Sequence, residues 1–232
     1  MMKQNFDAAS QAVEIIAANK QLTDDNYAKQ DAEKLAQSVW TTIRPYVQQN
    51  IAIYKNWKNQ TYEQRKKFVV DILNLLIEKY DGNNKNKPQI YFQEGIKPLW
   101  PKEIGQPLAC CYSPTLSPWA KKYMDKTPLD AERPFFAFFH DLSDNGMVGQ
   151  IVHEFTHYLQ GMGKSSISYD VVKQAAEYYK YYYGDKNKYK QIYKDSIHEV
   201  EAYCVGDYAN AQVMQMMQIN DLALKKNNDY VQ

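Results

Sequence analysis

Apolar residues recur at helical spacing through the first third of the chain. Phe68, Val69, Ile72, Leu73, Leu76 and Tyr80 follow a capping-box pair, Thr61 and Gln64, and "DGNN" stops the run. Before it, Leu35, Val39, Ile43 and Val47 mark another helix, in which Pro45 predicts a kink or restart. Residues 1 to about 80 therefore read as helix throughout, a support layer with no visible chemistry. The segment "DGNNKNKP" has no apolar residue and is the best linker. Three short runs rich in aromatic and β-forming residues follow: "QIYFQE" (89–94), "PLACCYS" (107–113) and "PFFAFFH" (134–140). They predict a small sheet of three or four strands. After "DLSDNG", rich in cap and turn residues, the period returns to that of a helix at "QIVHEFTHYLQG", which "GMG" (161–163) ends. The expected class is α+β, mainly helical. Residues 1–85 form an N-terminal helical region packed on a core of 86–232, together one compact unit.

Composition narrows the function classes. With 28 basic and 27 acidic residues the formal charge is +1, so no bulk field draws the chain to nucleic acid or an anionic membrane. No run of eighteen apolar residues occurs, and "MMKQNFDAASQAVEII" lacks the basic-then-apolar plan of a secretion signal, which favours a cytoplasmic setting. Three cysteines, two of them adjacent (Cys110 and Cys111), make a poor disulfide framework and are read as reduced packing thiols.

The helix after the third strand carries the chemistry. A His-Glu-x-x-His spacing arises by chance only about 0.003 times in a chain with this many histidines and glutamates. On a helix, Val148, Ile151, Val152, Phe155 and Leu159 fall on one side and His153, Glu154, His157 and Gly161 on the other. Four residues of helix bring two imidazoles to one ion, and Glu154, rotated by about 100°, stands beside it where a water-activating base belongs. Catalytic zinc usually takes a third protein ligand. The three-histidine metzincin pattern fails, because Gln160 and Gly163 stand where it needs glycine and histidine. A carboxylate in "IHEVEAYCVGDYANA" is the alternative. There Ile197, Val200, Cys204, Tyr208 and Ala211 line one helical face, with Glu201 inside that stripe and Glu199 opposite. Glu201 is accordingly preferred to Glu199, Asp207 and His198 as a metal ligand, the rival reading being a pairing with Lys, Arg or Tyr.

On these residues the chain resembles the gluzincin zinc metallopeptidases. "HEFTH" matches their zinc-binding helix, and "EVEAY" resembles the Glu-Ala step that supplies their third ligand. The "ExEA" form with three strands ahead is similar to compact zincin domains of the ImmA/IrrE type. The resemblance covers roughly residues 88–217, and its specific part is the histidine motif. It implies a zincin-like core and a hydrolase using Zn²⁺ held by His153, His157 and Glu201, with Glu154 as general base and a protein or peptide as substrate. It also implies that the last strand before the motif helix, Phe135 to Phe139, is the substrate-binding edge. Phe136, Phe138 and His140 are then the candidate contacts, with a plain surface role as the alternative for His140.

The chain departs from the family in three places. The separation of His157 from Glu201 is longer than in compact members. Val205 stands where thermolysin-like enzymes carry an Asp that orients a zinc-bound histidine, which leaves Asp207 and Asn210 as candidates for that task. The Tyr-rich insert with Tyr178, Tyr179, Tyr181, Tyr182 and Tyr183 reads as a support helix rather than a lid. The rival function is a zincin-fold regulatory or protein-binding protein with little turnover, against which the intact Glu154 argues.

Overall fold

A computed structural model describes residues 26–83, 87–93, 109–114, 130, 132–139, 142, 146–173 and 196–229. The elements are α1 (Asn26–Gln49), α2 (Ile51–Lys55), a 3-10 turn (Trp57–Asn59), α3 (Tyr62–Asp81), β1 (Gln89–Gln93), β2 (Ala109–Tyr112), β3 (Phe135–Phe139), α4 (Met147–Gly161) and α5 (Ile197–Asp229). The described part is thus α+β and mainly helical, with a three-stranded mixed sheet. Residues 1–25, His140 and the Tyr-rich insert lie outside it.

The N-terminal helices follow their apolar stripes. In α1, Ala32, Ala36, Val39, Trp40, Ile43 and Val47 are buried at intervals of three and four. Pro45 sits inside α1 without restarting it: the helix runs on to Gln49. It ends where the Asn50 backbone N–H and side-chain amide both return to the Tyr46 carbonyl, at 3.0 and 2.9 Å. At the start of α3 the expected capping box is present, with Gln64 N–H donating to Thr61 Oγ1 at 3.2 Å and Thr61 N–H to Gln64 Oε1 at 2.8 Å. The fully buried Trp57 donates from Nε1 to the Leu142 carbonyl at 2.6 Å. That bond ties the helical layer to the loop before α4, where Leu142 adopts a left-handed φ of 58°.

The sheet order is β1-β3-β2, with β1 parallel and β2 antiparallel to β3. This corrects the expectation that Phe135–Phe139 is a substrate-binding edge, because β3 has a strand on each side. Phe136 and Phe138 are fully buried, Phe136 near Tyr158 and Phe155 of α4 and Phe138 stacked on Phe92 of β1. A strand apolar on both faces belongs in the middle of a covered sheet, where neither face meets water. One apolar cluster joins residues of α1, α3, β2, β3, α4 and α5. Among the described residues, no helix is long and apolar enough to cross a membrane.

Candidate metal centre

The centre is built where α4 and α5 meet. Helix α4 is buried on nearly all sides, so its histidine face is covered by α5 rather than left open. The two helices come close because glycines face each other. A Cβ at Gly206 would stand 2.7 Å from the Gly149 carbonyl oxygen, and one at Gly149 would stand 2.9 Å from the Gly206 carbonyl oxygen. The inward seam of α5 is accordingly made of small residues, Ala202, Val205, Gly206, Ala209 and Val213, all buried. Val200, of the stripe expected to face inward, is 39% exposed, and Ala211 is exposed too. Glu199 precedes Ala202 by three residues and Gly206 by seven, so it shares their face and points at the histidines.

The sequence preferred Glu201 as third metal ligand, whereas the carboxylate that the structure brings to the two histidines is Glu199. The structure groups His153, His157 and Glu199. The His153 and His157 Nε2 atoms lie 3.2 Å apart, with Glu199 Oε2 3.5 Å from the first and Oε1 3.5 Å from the second. A tetrahedral ion with arms of about 2.0–2.1 Å needs donors roughly 3.3–3.4 Å apart. The two 3.5 Å separations run to different carboxylate oxygens, so Glu199 lies against both imidazoles, and two imidazoles plus a carboxylate form a donor set that zinc accepts. Glu199 Oε2 is, moreover, a buried oxygen that accepts no hydrogen bond, an expense that a bound cation would offset. Glu199 also lies in the first turn of α5, where the helix dipole favours a negative charge.

The electrostatics match a cation site. Burial alone would raise the Glu199 carboxyl, but His157, His153 and His198 hold it well below the usual carboxylate range. Burial opposes charge on His157, yet Glu199 beside it, the Glu154 charge and Gln160 push it up to about 9. His198 goes the other way. Burial, helped by the positive field of His157 and His153 and resisted by Glu199, lowers it to about 4. Glu154 is buried and its carboxyl is raised, first by desolvation; His153 and His157 pull it down and Glu199 pushes it up. It also accepts a hydrogen bond from the Cys111 backbone N–H, which brings β2 to the centre. Burial and the Glu154 charge raise both the Cys110 and Cys111 thiols, in keeping with unreactive packing cysteines. At the rim, the Tyr203 ring packs on His153 with centroids 4.6 Å apart and is 43% exposed.

No protein-family model, curated protein or solved structure matches this chain. Its functional reading rests on the site itself.

Glu201 is buried as the apolar stripe suggested, and its hydrogen-bond partners are Ser166 and Gln160. Its Oε1 accepts from the Ser166 backbone N–H at 2.9 Å and from the Ser166 hydroxyl, and its Oε2 accepts from Gln160 Nε2 at 2.7 Å. Gln160 Nε2 also donates to the His198 carbonyl at 2.8 Å, and Gln160 Oε1 lies 2.8 Å from His157 Nδ1. Gln160 is a residue against the histidines that the sequence reading missed. Its signal was available, since a residue three positions after His157 shares its helical face. Of the residues considered for orienting a histidine, Asp207 is exposed. Asn210 lies against Gly149, one turn before His153 on α4. His198 bonds through Nδ1 to Ser196 Oγ at 2.6 Å, its Nε2 3.8 Å from Glu199 Oε1.

Proposed function

We propose that this chain is a zinc-dependent metallopeptidase in which His153, His157 and Glu199 hold the ion and Glu154 is the general base. The observation that carries the reading is the grouping of the His153 and His157 Nε2 atoms, 3.2 Å apart, with the Glu199 carboxylate, and the buried Glu154 beside them in sequence and in space. When bound, zinc would lower the pKa of a coordinated water toward about 7 and polarise the scissile carbonyl. Glu154 would take a proton from that water and deliver it to the leaving nitrogen, and burial, by raising its carboxyl, makes it the better proton carrier. The substrate strand is reassigned to β2. The Cys111 backbone N–H of that strand meets Glu154. A peptide added there in extended form would set its carbonyl beside the base. Tyr203, exposed against His153, is the hydroxyl best placed to meet the oxyanion.

The second reading, a protein-binding descendant with little turnover, is favoured by Val200, Tyr203, Met214 and Ile219, large apolar residues exposed on α5. One experiment separates the two. Zinc content, melting temperature and cleavage of a broad fluorogenic peptide library are measured for the parent, Glu154→Gln and Glu199→Ala. A metallopeptidase requires Glu154→Gln to keep its zinc and lose on the order of 10² to 10⁴ in turnover, and Glu199→Ala to shed the metal. Equal cleavage by the parent and Glu154→Gln would refute the mechanism. A zinc-loaded parent that cleaves nothing would favour the binding protein.

A further inference from the structure

We propose that Glu201 is a positioning residue that acts through Gln160 to hold the His157 ring with its bare nitrogen toward the metal. The proposal rests on the metal-centre reading for its consequence but not for its geometry. An ionised carboxylate only accepts hydrogen bonds. Glu201 Oε1 is engaged by the Ser166 N–H and hydroxyl, and Oε2 faces Gln160. Gln160 must therefore turn its NH₂ toward Glu201, where the same nitrogen also meets the His198 carbonyl, a second pure acceptor. Two acceptors on that side leave the Gln160 oxygen facing His157 Nδ1 at 2.8 Å. Nδ1 must then carry the proton, which leaves Nε2 unprotonated when the imidazole is neutral and so able to bind a metal. Gln160 and Glu201 are both buried, so water does not compete for these bonds. The acceptor oxygens of Glu201 and of the His198 carbonyl thus set the direction of the bonds in the chain, and their end result is the tautomer of a metal ligand two bonds away from Glu201.

An amide at position 201 removes that direction. Glu201→Gln can offer its own NH₂ to Gln160, which then turns over and presents its NH₂ to His157. Nδ1 becomes an acceptor, the proton moves to Nε2, and the metal must displace it. The test uses the full chain as parent, Glu201→Gln, Gln160→Met, the double variant, Ser166→Ala and, for reference, Glu199→Gln. Zinc affinity is measured by competition with a chromophoric chelator, and the His157 Nδ1–H proton is followed by NMR in metal-free and zinc-loaded protein. Glu201→Gln and Gln160→Met should each weaken zinc about 10- to 100-fold, the usual effect of losing a partner that orients a ligand. The double variant should lose no more than the worse single, because the two side chains act in series. Ser166→Ala keeps the carboxylate and should stay within about threefold of the parent, while Glu199→Gln, which removes a ligand oxygen, should fall well below all of them. In metal-free protein held above about pH 9, where His157 is neutral, the Nδ1–H resonance should be sharp in the parent and Ser166→Ala and absent from Gln160→Met and Glu201→Gln.

Parent-like zinc affinity in Glu201→Gln, or losses in the double variant that equal the two single losses combined, would overturn the proposal. If Glu201→Gln does not fold, Gln160→Met decides, and parent-like affinity there has the same meaning. If the parent takes up no zinc, the metal-centre reading falls. The relay is then judged on the metal-free resonance above about pH 9, where the ring is neutral, and its survival there in Glu201→Gln refutes it.

Discussion

Replacing Gly206 with alanine tests the reasoning that built the centre. The new methyl would stand 2.7 Å from the Gly149 carbonyl oxygen and 3.2 Å from His153 Cβ. Both neighbours are fixed parts of α4, so relief requires α5 to retreat by about 0.7 Å to reach ordinary van der Waals distance. Glu199 lies two turns, about 10 Å, along the same helix, so a rigid retreat carries its carboxylate away from both imidazoles. Donor separations of 3.5 Å would open to about 4 Å, and arms of about 2.0–2.1 Å then span them only with the ion nearly in line between its ligands. Two opposing effects act on stability. Alanine is better than glycine in a helix by about 1 kcal/mol, whereas overpacking a close interface costs about 1–3 kcal/mol. The net loss is about 0–2 kcal/mol, or up to about 8 °C in melting temperature for a chain of this size. Zinc affinity should fall by more than stability does, on the order of tenfold to a hundredfold, because a metal site tolerates only about 0.5 Å of misplacement. Thermal melts of the metal-free protein and chelator-competition titrations measure the two separately. A Gly206→Ala protein with a raised melting temperature and parental zinc affinity would show that the Gly149–Gly206 approach does not set the position of Glu199.

Two further outcomes are expected. In the metal-free protein His157 is pushed up to about 9 from an ordinary value near 6.5, so its ion pair with Glu199 contributes fully below about pH 6.5 and is lost as pH rises toward 9. Metal-free stability should therefore fall across that window while zinc affinity rises by close to tenfold per pH unit, since one proton leaves as the ion enters; a pH-independent zinc affinity between 7 and 9 would contradict the pairing. Trp57→Phe removes the donor to the Leu142 carbonyl and shrinks a fully buried side chain, and should cost about 2–4 kcal/mol in urea unfolding, with a loss below about 0.5 kcal/mol arguing that the loop before α4 is held by other means.

Local features were legible because local spacing produces them. The His153 and His157 rings meet because four residues make about one helical turn, and the centroids indeed lie 4.8 Å apart. The capping box at Thr61 and Gln64 closes within one turn of α3. The end of α4 needs only Gly163, at a φ of 66°, and the Lys164 N–H returning to the Leu159 carbonyl at 2.9 Å. Each of these depends on residues a few positions apart, so the order of residues alone determined them, along with the α+β class and the helical stripes.

Only the tertiary structure could decide between two buried glutamates two residues apart. Both are inside: Glu199 faces the imidazoles across the glycine crossing, and Glu201 faces Ser166 and Gln160. The apolar stripe misled because the true seam of α5 consists of small residues, chosen for close approach to α4, while Val200 and Tyr203 stay at the surface. The place of β3 was non-local in the same way. Its all-apolar sequence was consistent with burial, but only pairing with β1 on one side and β2 on the other made it the centre of the sheet and left β2 beside Glu154. A helix or a turn is specified by neighbours in sequence. Which carboxylate meets the histidines and which strand meets Glu154 depend instead on which distant surfaces fit closely enough to exclude water, and that is a property of the packed chain.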